Sequence, residues 1–280
     1  MNALGWTQFS ANSATWMNAS TRRAVFVAPG AASQETTRRS TFSTDRSSYD
    51  ILEAPHADNQ RSLALSYTEG TKQLGVSVVA DGTASTDGSR VVQGYHLGWA
   101  GDELHYTQLP NSRAFFTTAK MNGCCVFVGG SRQNPFIMHA NFTDEIPGPV
   151  VGDEAETKRL QLAAYATLYN RLQNALISKG LVSQDEPLSR FDPAFYMNTQ
   201  YGGGRGTVWG VRGVDGWTFY YNMDIVGPVV TTSYLCGLVQ VPKKTTHGTP
   251  VRRGMAYTGQ LWPERQDPEA DATVAELLAS

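Results

Sequence analysis

The sequence predicts an α/β fold, a sandwich of mixed, largely antiparallel β-sheets with flanking helices. Two patterns predict it. Short apolar runs recur at close intervals, each bounded by Gly, Pro, Asn or Asp, as in successive strands joined by turns. Between two such strand-rich regions lies one stretch whose apolar residues recur at steps of three and four, the period of a helix. Composition agrees, because 27 glycines and a charged fraction of 17% favour strands and turns over long solvent-facing helices.

Taken in order, residues 1–21 are rich in Ser, Asn, Thr and Ala and suit a frayed terminus. After an apolar run at 24–28, the Ser-, Thr-, Arg- and Gln-rich stretch 29–50 offers little to bury and reads as a flexible linker or long surface loop. Residues 1–50 are therefore expected to be a flexible N-terminal segment, and 51–262 the folded domain. Strands are expected at 63–67, 74–80, 91–99, 104–109, 114–118, 125–128 and 136–139. Turn pairs such as Asp81-Gly82, Asp87-Gly88, Pro110-Asn111 and Gly129-Gly130 separate them.

Asp153 can cap the helix, Glu154 and Glu156 suit its positive end, and Gly180 can end it. Its stripe of Leu162, Tyr165, Tyr169, Leu172 and Leu176 is expected to pack against the core. Further strands are expected at 206–211, 217–222, 226–232 and 234–241, with a hairpin around Val214-Asp215-Gly216. Residues 263–280 form an acidic tail with a short helix expected at 271–278.

A net charge of −2 gives no global basic field of the kind that gathers nucleic acid, so no direct nucleic-acid partner is expected. No run approaches the roughly 20 apolar residues that span a bilayer. Three cysteines, Cys124, Cys125 and Cys236, make no disulfide framework, and no Cys/His cluster has zinc-ligand spacing. Neither metal nor organic cofactor is expected, and reduced thiols point to a cytosol-like setting.

One segment carries candidate chemistry: Ala114-Phe115-Phe116-Thr117-Thr118, then Asn122-Gly123-Cys124-Cys125-Val126-Phe127-Val128-Gly129-Gly130, then His139. A cysteine attacks an amide carbon as the thiolate, and a nearby imidazole is the usual means of forming one. Cys124 follows a glycine that leaves room for a substrate, and backbone N–H groups at that turn can face an oxyanion. His139 ends the next strand; if the two strands pair, thiol and imidazole can meet. Thr118 ends the strand before, and its hydroxyl or carbonyl can orient the imidazole as a third member. The same residues equally suit a packed core, since cysteine is among the most buried residue types.

The string Phe-Phe-Thr, Gly-Cys-x-Val-Phe-x-Gly-Gly and a following His resembles the active-site segment of the Burkholderia lethal factor-like glutamine deamidase toxins. Its Gly-Cys and downstream His are shared with the cytotoxic necrotizing factor and CheD-type chemoreceptor deamidases. The resemblance spans about thirty residues. It implies Cys124 as nucleophile, His139 as base and Thr118 as third triad member, with Gly123 and Asn122 contacting substrate and Cys125 a bystander. There are departures. Met121-Asn122 stands where those families have Leu-Ser, and Ser131-Arg132-Gln133-Asn134-Pro135 lengthens the Cys-to-His interval. The Phe-Phe-Thr string is shifted by one residue, which makes Thr117 a rival to Thr118.

The resemblance implies a monomeric toxin or injected effector that acts in host cytoplasm, without cofactor, on a glutamine of a host protein. Targets in those families include a translation initiation helicase and small GTPases. The Ser/Asn-rich N-terminus also resembles the polar export signals of such effectors. A cysteine protease, a transglutaminase and a non-enzymatic binding module remain rival expectations.

The other candidates read as structural. His56 sits in a polar loop; His96 and His105 lie in alternating strands as structural imidazoles; Asp102 and Glu103 suggest no paired-carboxylate mechanism. His247 among Lys243, Lys244, Arg252 and Arg253 suits a solvated loop. The run Tyr201-Gly202-Gly203-Gly204-Arg205-Gly206 is a turn or mobile loop and no Walker motif.

Overall fold

The computed structural model describes residues 1, 3–18, 25–29, 38–44, 47–53, 59–99, 101, 103–142, 145–178, 180–185, 188–197, 202–227, 230–235, 239–244 and 251–264. Alternating burial marks its strands: in the run 60–68, Leu63 and Leu65 are fully buried while Ser66 is exposed. In chain order the elements are α1 (Ala3–Ala11), α2 (Ser13–Asn18), β1 (Val25–Val27), β2 (Arg38–Thr44), β3 (Ser47–Glu53), β4 (Gln60–Thr68), β5 (Gln73–Val79), β6 (Ser89–Leu97), β7 (Glu103–Gln108) and β8 (Phe115–Thr118). They continue as β9 (Cys125–Ser131), β10 (Asn134–Asn141), α3 (Glu154–Ser178), β11 (Ser189–Phe191), α4 (Pro193–Tyr196), β12 (Gly202–Gly213), β13 (Gly216–Gly227), β14 (Val230–Leu235), β15 (Val239–Lys244) and β16 (Val251–Trp262).

These strands build the expected sandwich. The first sheet has the order β1-β5-β4-β6-β8-β12-β13-β16 and the second β11-β9-β10-β7-β3-β2, with β14-β15 a separate hairpin. Both sheets are mixed: β1 with β5, β6 with β8 and β3 with β7 run parallel, and the other pairs run antiparallel. Between the sheets, Tyr95, Leu97, Phe116, Val208 and Phe219 of the first meet Val126, Val128, Ile137 and Phe191 of the second. Behind the second sheet, Phe127, Met138 and Ala140 pack on Leu168, Tyr169 and Leu172 of α3. Behind the first sheet, Leu63, Phe115 and Trp209 pack on Phe9, Trp16 and Met17 of α1 and α2.

The helix and hairpin follow local chemistry. Asp153 accepts the Glu156 N–H at 2.8 Å, capping α3, and Gly180, at φ +69°, lets the chain turn away after it. Gly213 pairs with Gly216, whose φ of +101° only glycine adopts without strain, and so the β12–β13 hairpin closes where expected.

The flexible segment expected at 1–50 is corrected by two findings. Phe9 and Met17 are fully buried and Trp16 nearly so, and Phe26 stacks on Trp209 with ring centroids 4.5 Å apart. Aromatic burial therefore holds α1, α2 and β1 on the first sheet, where mean composition suggested fraying. Within the stretch 29–50 expected as linker lie β2 and the first part of β3, which pair with each other, and β3 pairs with β7. Their Thr, Ser, Tyr and Phe content suits an extended edge. The tail beyond Glu264, His56, Asp102, Cys236 and His247 lie outside the described residues. No described helix is long and apolar enough to cross a membrane.

Candidate active site

Pairing of β9 with β10 decides where the thiol and imidazole point. Cys125 lies opposite Ala140 and Val126 opposite His139. Side chains alternate between faces along a strand, and opposed residues share a face. Cys125 thus belongs with Phe127, Met138 and Tyr169 on the helix side, while Cys124 is buried with Val126, Val128 and Ile137 between the sheets. His139 shares that inter-sheet face through its pairing with Val126. The structure therefore brings Cys124 and His139 to one face of adjacent strands, one diagonal step apart.

No hydrogen bond joins them. Both nitrogens of His139 are buried without a partner. Burial pushes its pKa down to about 3, helped by the nearby His105, while the Leu97 backbone across the gap pulls the other way without reaching hydrogen-bond geometry. Burial likewise pushes the Cys124 thiol up to about 12, against a smaller lowering by the Asn122 backbone. At neutral pH this form holds a neutral imidazole and a protonated thiol, with Cys124 only 3% exposed. An activated thiolate, the state its sequence context suggested, is not the state seen.

Threonine alternation separates the two rivals. Phe115 faces α1 and Phe116 faces the second sheet, so Thr117 points outward and Thr118 inward. The Thr118 hydroxyl donates to the Val208 carbonyl at 3.2 Å and accepts the Val208 N–H at 3.3 Å. That of Thr117 donates to the Thr118 carbonyl at 3.1 Å. Neither is bonded to His139. Thr118 does lie opposite Leu97 in register, on the wall facing the imidazole.

Three tyrosines fix the turn before Cys124. The Tyr196 hydroxyl accepts the Gly123 N–H at 2.9 Å, and Tyr169 donates to the Gly123 carbonyl at 2.9 Å. Gly123 has φ +111°, and a Cβ there would stand 3.0 Å from the Tyr165 hydroxyl. Glycine is required on both counts. Its N–H is already engaged, and Asn122 beside it is exposed.

Two residues read as structural from sequence join the same face. On β7, Glu103 lies opposite Asn141 and His105 opposite His139. His105 Nε2 is 2.9 Å from Glu103 Oε2, and its Nδ1 is buried without a partner. Burial lowers the His105 pKa, and Glu103 pulls it back up by hydrogen bond and charge. Only the unpredicted β7–β10 pairing makes this cluster. Among the described residues no three His, Cys, Asp or Glu side chains converge as metal ligands.

A cavity of about 260 Å³ lies elsewhere, lined by Phe26, Gln73, Lys120, Arg205, Thr207 and Asn222 among others; neither Cys124 nor His139 borders it.

No protein-family model matches the chain, and no characterised protein matches it in sequence. One solved structure that aligns with it is the C-terminal domain of CNFy from Yersinia pseudotuberculosis. The alignment covers 92% of this chain and 98% of that one, at 8% identity and a TM-score of 0.33. The resemblance to that toxin domain is distant, and a superposition this loose establishes neither a shared fold nor a shared activity.

Proposed function

We propose that the protein is a glutamine deamidase acting on another protein, with Cys124 as nucleophile and His139 as base. The observation that carries this proposal is the placement of both side chains on one buried face of paired strands, in a segment resembling the deamidase active site. Polar and titratable groups cluster there in an otherwise apolar inter-sheet layer, and burying His139 with neither nitrogen bonded costs stability, a pattern common at functional sites.

In the proposed reaction His139 takes the Cys124 proton as sulfur bonds to the carboxamide carbon. The tetrahedral oxyanion collapses, the C–N bond breaks, and ammonia leaves with the proton held by His139. Water then adds to the thioester, sulfur departs with a proton, and glutamate remains. Thr118, on the facing wall, is the third member, orienting the imidazole once its hydroxyl turns from Val208. Gly123 and Asn122 form the substrate-facing turn. Because Cys124 is covered, the reaction requires the 120–123 turn to open on the target; Lys120 and Asn122 are its exposed residues.

The test is peptide mass spectrometry of a eukaryotic lysate treated with wild-type protein or with Cys124→Ser. Deamidation of a defined glutamine by wild type alone supports the proposal; cleaved or crosslinked peptides instead indicate a protease or transglutaminase. The closed, protonated thiol favours one other reading, a binding module in which Cys124 and His139 are packing residues.

A further inference from the structure

A base as deeply buried as His139 needs somewhere to put the positive charge it gains. His139 is fully buried, and His105 directly opposite it is 1% exposed. The Glu103 carboxylate can only accept, so His105 Nε2 carries the proton between them and Nδ1 of neutral His105 is a bare acceptor. That acceptor has no donor, and the ring N–H of neutral His139, on the same face of the adjacent strand, has no acceptor. The two orphans are complementary. Glu103 is about one-third exposed, so the series runs from the buried thiol face to solvent.

We propose that Glu103 and His105 are positioning residues that form a proton relay for His139. This rests on the proposed role of Cys124 and His139. When His139 accepts the Cys124 proton at one nitrogen, Thr118 releases the other N–H, whose proton passes to His105 Nδ1. The charge then rests on His105 beside the Glu103 carboxylate, with the thiolate and a neutral His139 left at the reacting end. Reversal returns the proton to the leaving ammonia. No bond other than N–H and S–H changes, and no co-reactant is needed. The Leu97 carbonyl, which already accepts the Ala119 N–H at 3.2 Å, can orient the ring but can hold neither proton nor charge. The groups facing His139 are Cys124 before β9, His105 and Glu103 on β7, and His96 on β6, which itself stands near Arg61 of β4. Glu103 is the acid among them and therefore sets where the cation settles.

The test uses the full chain and two readouts. Imidazole nitrogen NMR of the wild type should show His105 protonated at Nε2, and Glu103→Gln should abolish that preference. The rate of Cys124 alkylation by iodoacetamide, followed against pH, should shift upward by at least about one unit in Glu103→Gln and His105→Gln, a tenfold loss at a fixed pH on the rising limb. Glu103→Asp should restore part of it. Protonation of His105 at Nδ1 in the wild type, or one alkylation profile shared by wild type and both variants, overturns the relay. Alkylation needs no protein target, so the relay and the deamidase proposal fail separately. If His139→Gln shifts the profile and the other two do not, only the relay is lost. If wild type deamidates no glutamine while the shifts appear, only the deamidase proposal is lost.

Discussion

Tyr196 holds Cys124 in place through its backbone: the phenol donates to the Cys124 carbonyl at 2.8 Å while accepting the preceding Gly123 N–H. Asp192 caps the short α4 that presents this tyrosine, accepting the Phe195 N–H at 3.0 Å, and Arg190 pairs with Asp192 at 2.5 Å. The turn before Cys124 is therefore set by a helix distant in sequence.

Tyr196→Phe removes both bonds and leaves a buried N–H and a buried carbonyl unpaired. Such losses cost about 1–3 kcal/mol. Urea denaturation should show a loss of that size, and Cys124 in the native protein should alkylate faster than in wild type because its turn opens more often.

Gly123→Ala meets a left-handed backbone and the Tyr165 hydroxyl together. Backbone strain of this kind costs about 1–3 kcal/mol. A drop in thermal midpoint should accompany it, and Tyr165→Phe in the same chain should recover only the steric share, leaving the φ cost.

Acid should destabilise the fold through its buried histidines. The pKa of His139 is lowered to about 3 and that of His96 to about 4, against ordinary values near 6.5. The unfolded chain therefore binds protons that the folded one refuses. Stability is full above about pH 6.5 and falls as pH drops toward the folded values. At pH 5 each such histidine contributes a loss of about 2 kcal/mol. Denaturation at pH 7 and pH 5 should show a smaller difference for His139→Gln than for wild type.

Alkali should act through the thiol. Cys124 is raised to about 12 from an ordinary 9, so the unfolded chain loses its proton first. Stability contributed by this group is present below pH 9 and falls as pH rises from there toward 12. Cys124→Ser should flatten that part of the profile, measured by denaturation at pH 8 and pH 10.

Much of the fold was legible because its signals are local. Alternation gave β4 to β10, Asp153 and Gly180 bracketed α3, and Val214-Asp215-Gly216 gave the β12–β13 turn. The N-terminal helices were not legible, because Phe9 and Trp16 acquire their meaning from Trp209 and Tyr67, which the chain supplies much later. At the site, Cys124 and His139 could be named from their segment. Their shared face depends on the β9–β10 register, which a short Gly-containing turn foreshadowed. Glu103 and His105 could not be linked to them, since pairing of β7 with β10 spans the intervening β8 and β9. Nor does spacing reveal that the thiol is covered; that follows from Tyr165, Tyr169 and Tyr196 converging from two helices.

The proposed activity is conversion by Cys124 of a glutamine on another protein to glutamate. The most direct measurement compares peptide mass spectra of a eukaryotic lysate incubated with wild type and with Cys124→Ser. A specific glutamine-to-glutamate conversion is expected in the wild-type sample and none with Cys124→Ser. The same conversion by Cys124→Ser, or identical peptide maps from both samples, contradicts it.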